Sequence, residues 1–276
     1  MENYHRWGPS VRTCFALAEG HVSPADMVMH TLRAALKFVL TQLPDSDTSN
    51  DLFSIHPMTS SRGIMGVTVA TEHILDIILK QVTRLDATQQ SQFFSMMCRD
   101  FQMESSFPSF YEKLMYLRLT GDPTATPLMC HPSTMGPPIA MPVVSNAISL
   151  SGSLNLNDAN RNDLPFYWRP VSKDFMSFDA IICTLKNIFI LKTTVSRTGG
   201  HYPKIRGLDF IREHIPTRFW NERQCYLVLI TPDQDDATQL TSEVAEDYPE
   251  LEVRYCVFPI GISTLTSLQL EKLHNL

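Results

Sequence analysis

The chain has 276 residues, 43% of them hydrophobic and 19% charged, with a formal net charge of −6. That composition suits a soluble globular protein of one large domain or two ordinary ones, and the modest net charge does not decide for or against a nucleic-acid partner. A membrane span is excluded, since the longest apolar stretch, Phe178 to Leu191, is broken by Asp179 and Lys186 and is too short to cross a bilayer.

The polar start, Met1 to Trp7, has no apolar run of the kind a signal peptide needs. It also shows no beginning of a fold, which fits a fragment of a longer protein. The six cysteines, Cys14, Cys98, Cys130, Cys183, Cys225 and Cys256, never form a CxxC pair. Their scatter gives neither zinc spacing nor a dense disulfide framework, and they are read as reduced structural thiols.

In chain order, Ser23 with Pro24 opens a helix through about Leu43, with Met27, Leu32, Ala35, Phe38, Val39 and Leu43 near a 3.6 period. Leu52–Ile55 and Met65–Ala70 read as short strands around a turn-rich segment. Three further helices follow: from Thr71-Glu72, with Ile74, Ile77, Ile78 and Val82 on one face, from about Thr88 to Met103, and over Ser109–Leu119. Residues 1–120 are therefore expected to be mainly helical. Segment 121–163 carries six prolines and the polar run Ser151 to Asp163, a composition that predicts a long irregular connection.

Residues 164–276 have a β-β-α-β-α-β rhythm. Phe178–Thr184 and Asn187–Ser196 read as a hairpin turning at Leu185-Lys186. A helix over Ile205–Ile215, a strand over Tyr226–Ile230, a helix over Thr238–Glu246 and a strand over Val253–Phe258 complete the pattern. The fold class expected is α/β, a mixed sheet with flanking helices after a mainly helical region. The acidic run Asp233–Glu252, with eight carboxylates and no base, reads as a solvated helix and loops.

Asp179 stands inside an apolar strand, where an unpaired carboxylate is costly. It is either an edge aspartate paired with a nearby lysine or arginine, or a ligand for a hard divalent cation. Strand alternation puts Lys192, Thr194 and Ser196 on one face. If that face meets Asp179, a carboxylate, an ammonium and two hydroxyls converge, the set that metal-assisted phosphodiester hydrolysis requires. The plain alternative for Lys192 is a strand lysine reaching solvent. From Leu164 to Trp220 nine lysines and arginines face four acidic residues, a local excess of five positive charges, which suits a polyanion.

The segments Phe166-Tyr167-Trp168-Arg169-Pro170, Phe178-Asp179-Ala180, Leu191 to Ser196, His201-Tyr202-Pro203-Lys204 with Gly207-Leu208, and the closing strands at Cys225–Ile230 and Tyr255–Phe258 resemble, in this order, the C-terminal region of Crinkler and retrotransposon-hot-spot (RHS) proteins. The resemblance covers roughly residues 164–260. It implies a PD-(D/E)xK restriction-endonuclease-like domain, Mg²⁺ as cofactor, DNA as substrate, and an effector role in the nucleus, in that case of a host cell. Asp179 matches the metal-binding aspartate. Lys192 stands where the family usually has glutamine, Thr194 where the wider superfamily has its lysine, and Lys204 matches a family lysine. An ammonium cannot ligate a metal, so Lys192 departs from the pattern.

The Trp7 to Cys14 segment resembles the join after that family's NTPase domain, with Arg12 as a sensor-type arginine. No phosphate-binding Gly-rich loop is present, so no ATP site is expected in this chain. The leading expectation is thus a Crinkler/RHS-type protein with a nuclease-like domain, degenerate if Lys192 closes the metal site. In it Asp179 would hold Mg²⁺, Lys192 or Lys204 would stabilise the phosphorane, and Thr194 would position water. Arg169, Ser196, Arg197 and Arg206 would contact phosphate. The alternative is a non-catalytic module that binds DNA or a host protein. A small-molecule enzyme is disfavoured because His5, His21, His30, His56 and His73 lack ligand spacing.

Overall fold

The computed structural model describes residues 7, 17–41, 52–58, 61–99, 107–120, 124–133, 135–148, 164–169, 178–195, 223–232, 234–247 and 251–258. The chain divides into two compact units, Met1–Lys113 with Ile260–Leu276, and Leu114–Pro259.

In the first unit, α1 spans Pro24–Thr41. Ser23 starts it: the Asp26 N–H donates to Ser23 Oγ at 3.1 Å, and the Ser23 hydroxyl donates to the Asp26 carboxylate at 2.7 Å. With proline at the first helical position, the end is closed on itself. β1 (Phe53–Met58) and β2 (Ser61–Val69) pair antiparallel. Both are longer than the apolar runs suggest, because paired strands continue through the polar residues expected to be turn, with an irregularity between Pro57 and Met58.

Next come α2 (Glu72–Val82), α3 (Ala87–Arg99) and α4 (Phe107–Leu119). Thr71 caps α2 by accepting from the Ile74 N–H at 3.2 Å. Asp86 and Gln89 exchange backbone-to-side-chain bonds of 2.9 and 3.2 Å at the start of α3, a reciprocal capping box. The core is an aromatic cluster in which Phe38 meets Phe53 at 4.9 Å and Phe93 at 5.8 Å, and Phe93 meets Phe110 at 6.0 Å. Edge-to-face packing of this kind adds to simple burial. The Lys113–Asp76 ion pair, 2.7 Å, ties α4 to α2. The mainly helical expectation fits this unit loosely, since a hairpin accompanies its helices.

The division between units falls inside α4. The second unit is built on an eight-stranded mixed sheet in the order β4-β3-β10-β9-β8-β7-β6-β5. Its strands are β3 (Leu128–Pro132), β4 (Ile139–Met141), β5 (Asn146–Ile148), β6 (Phe166–Trp168), β7 (Ala180–Cys183), β8 (Asn187–Thr193), β9 (Gln224–Thr231) and β10 (Glu252–Val257). β6, β7 and β8 form an antiparallel meander, whereas β8, β9 and β10 run parallel. α5 (Gln234–Asp247) makes the β9-to-β10 crossover, as a parallel connection requires.

One sheet face packs Phe166, Trp168, Ile181, Ile188, Ile190, Leu227, Leu229 and Val253 against Leu240 and Val244 of α5. The exposed side of α5 carries the acidic and amide residues Gln234, Asp235, Gln239 and Glu246, so the acidic run is solvated over its helical part. On the α4 side, Tyr116 meets Tyr167 at 5.6 Å. Strands with two covered faces are continuously apolar, which is how β7 and β9 read.

The polar run Ser151 to Asp163 lies outside the described residues. The irregular connection expected over 121–163 is corrected for residues 124–148. β3, β4 and β5 lie in it and belong to the sheet, and Val144 N–H donates to Leu119 O at 2.8 Å. The prolines sit where a ladder tolerates them. Pro132 ends β3, Pro137 and Pro138 precede the edge strand β4, and Pro142 follows it. The unit therefore begins near Leu114 rather than at 164.

Candidate functional site

The β7–β8 hairpin turns tightly. Thr184 N–H donates to Asn187 O at 2.8 Å across Leu185-Lys186, and Ala180 pairs with Leu191 at the other end. Just before β7, Asp179 N–H also donates to Leu191 O at 2.8 Å, which keeps Asp179 beside the end of β8.

Lys192 Nζ donates to Asp179 Oδ1 at 2.7 Å. The Thr193 backbone N–H and its hydroxyl both donate to Asp179 Oδ2, each at 2.5 Å. Both carboxylate oxygens are engaged, and the side chains are only 17% (Asp179) and 14% (Lys192) exposed. Charge-assisted bonds at a half-enclosed site are stronger than neutral ones. The group is thus a closed clamp at the C-terminal end of β8.

The geometry separates the expected site residues. Asp179 and Lys192 are brought together. Thr194 supplies a backbone N–H to Ile230 O at 2.9 Å, while the hydroxyl at the carboxylate belongs to Thr193, a residue the alternation argument passed over. Alternation holds within a regular strand, and β8 ends at Thr193, where both Thr193 donors reach Asp179. Arg169 follows β6 and is half-buried. It is not among the partners of the Asp179 carboxylate. Lys186 is exposed at the hairpin tip, about 20 Å along the strand from Lys192. Ser196, Arg197, Lys204, Arg206, Arg12 and the helix expected over Ile205–Ile215 lie outside the described residues.

Mg²⁺ prefers a near-octahedral set of oxygen ligands. Here the Asp179 carboxylate is filled by an ammonium and two further donors, and an ammonium cannot itself ligate a metal. Among the described residues no three His, Cys, Asp or Glu side chains gather in a metal-holding group. The described residues around Asp179 do not fit the ion. The chain matches no family model, no curated protein and no solved structure.

Elsewhere in this unit Arg254 is a buried hub missed in the sequence. It donates to Glu252, to Pro137 O at 3.0 Å and to Cys130 O at 3.2 Å, and its guanidinium lies 5.0 Å from the Tyr226 ring centre. The signal available was an arginine alternating with apolar residues in Val253–Val257. Among the described residues no helix is long and apolar enough to cross a membrane.

Proposed function

We propose that the Leu114–Pro259 unit is a non-catalytic interaction module built like a restriction-endonuclease domain, and that it docks on DNA through its basic segment. The observation that carries this reading is the occupied Asp179 carboxylate, both of whose oxygens accept hydrogen bonds from Lys192 and Thr193. A carboxylate held by a tethered ammonium is a structural group, not a vacant ligand. The antiparallel β6-β7-β8 meander followed by parallel β9 supports the endonuclease-like descent that the Crinkler and RHS resemblance implies. The excess of five positive charges between Leu164 and Trp220 supports a polyanionic partner over an acidic or neutral one.

Incubation of the purified chain with supercoiled plasmid and Mg²⁺, beside Asp179→Ala, tests the reading. The expected result is no nicking by either protein, with a gel shift of the DNA that weakens steeply between 50 and 200 mM salt. Nicking that disappears in Asp179→Ala would return the domain to the metal nucleases. Absence of any salt-sensitive shift would remove DNA as the partner and leave a protein partner.

A further inference from the structure

Two cysteines far apart in sequence are neighbours in the fold. β10 and β3 pair antiparallel, with Arg254 opposite Pro132 and Tyr255 opposite His131. One residue further along the same register sets Cys256 opposite Cys130. Both are buried and neither is in a disulfide. Opposed residues of antiparallel strands have Cα atoms about 4.5–5.5 Å apart, within the roughly 4.4–6.8 Å that a disulfide spans. Cys183 stands opposite Phe166 and Ile188, and Cys225 opposite Ile188.

We propose that Cys130 and Cys256 form a dithiol that a two-electron oxidant of the peroxide class converts to an intrachain disulfide, latching the β3–β4 hairpin to β10. One sulfur attacks the peroxide, the O–O bond breaks, and a sulfenic acid and one water result. The second sulfur then displaces the sulfenic hydroxyl, the S–S bond forms and a second water leaves. Two thiols lose two electrons and two protons while one hydrogen peroxide becomes two waters.

Access sets the rate. The neighbouring Cys256 thiol first, and burial second, push the Cys130 thiol up, so the closed sheet holds it protonated, while the nearby Arg254 guanidinium works against that shift. The thiol pair therefore waits for a local opening, and the sheet edge is where opening is easiest. β4 has only three residues. A cleft of about 420 Å³, lined by Pro132, Ser133, Met135, Gly136, Pro137 and Arg254 among others, begins two residues along from each cysteine. Loss of the β3–β10 pairing would expose the sulfurs while the α5-covered core stays folded.

The test is titration of the whole chain with hydrogen peroxide under native conditions, followed by alkylation, non-reducing digestion and mass spectrometry. The expected product is a peptide pair joined through Cys130 and Cys256, lighter by two hydrogens, with a raised melting temperature that dithiothreitol reverses. Cys130→Ser and Cys256→Ser each remove the link and the shift, whereas Cys225→Ser keeps both. The wild-type digest decides the matter even if a serine variant folds poorly. Oxidation confined to Cys225 or Cys183, with Cys130 and Cys256 still alkylatable after unfolding, would overturn the proposal. So would a link that forms only in urea.

Discussion

Exchanging Lys192 for methionine keeps an unbranched side chain of similar reach and removes its ammonium. Asp179 then retains the two Thr193 donors but loses its counter-charge. An exposed pair contributes about 0–1 kcal/mol, and stripping one partner from a fully buried pair costs about 3–5 kcal/mol. With side chains 14% and 17% exposed, this pair lies between those limits. Lys192→Met should therefore cost about 2 kcal/mol. Asp179→Ala leaves an ammonium and two Thr193 donors without their acceptor, and should cost about 2–3 kcal/mol. The double variant should recover part of the sum, giving a coupling of about 1–2 kcal/mol. Urea unfolding of the four proteins reads these differences as midpoint shifts at constant slope. Melting should fall by about 2–4 °C per kcal/mol for a chain of this size. A coupling below about 0.3 kcal/mol would refute the clamp. So would an Asp179→Ala variant more stable than wild type, the behaviour of a carboxylate kept for chemistry at the expense of stability.

Three other outcomes follow from the same geometry. Thr193→Val removes the hydroxyl donor but keeps the backbone N–H, and should cost about 1 kcal/mol in the same urea assay. Arg254→Lys should fail to replace arginine, since an ammonium cannot hold Glu252, Cys130 O and Pro137 O together; a loss of about 2–3 kcal/mol is expected, and full retention of the midpoint would contradict the hub. Burial pushes the Cys183 thiol from 9.0 up to about 11 and also raises Tyr226, together with Glu252. A raised acid pKa means the folded state binds the proton more tightly, so this stability is complete below about pH 9 and is lost as pH rises through about 11. Urea midpoints measured across that window should fall with pH, and Cys183→Ala should flatten the slope.

Much of the C-terminal unit could be read from sequence because its strands are buried on both faces. Ala180–Cys183, Ile188–Leu191 and Tyr226–Ile230 are unbroken apolar runs, and the tight Leu185-Lys186 turn fixes the register that pairs Ala180 with Leu191, next to Asp179 and Lys192. The helix starts at Ser23 and Thr71 were equally legible, since capping is a local property of a few residues. What could not be read was non-local. Leu128–Pro132 and Ile139–Met141 look like loop because prolines surround them, and they are strands only because they pair with each other and β3 pairs with the distant β10. Phe166–Trp168 is three residues long and is a strand only because β5 and β7 flank it. Thr193 was missed for the opposite reason: alternation was extended past the strand's end, where it no longer applies.

The clamp also bears on what an aspartate in an apolar strand signifies. A divalent cation would supply two positive charges but needs several oxygen ligands and a sufficient free concentration. Lys192 supplies one charge, tethered to the neighbouring strand, with no dependence on solution ions. The Thr193 N–H and hydroxyl need an acceptor where β8 ends, and Asp179 is the group within reach. Removing the carboxylate would orphan three donors at once, so the strand end itself requires an aspartate there, whether or not any phosphate is ever cut. That requirement predicts an asymmetry. Asp179→Asn keeps the acceptor oxygen for Thr193 and should be milder than Asp179→Ala, whereas in a metal-dependent nuclease the two substitutions would abolish activity alike. Urea midpoints for the two variants decide it, and equal losses would count against a structural role for the Thr193 bonds.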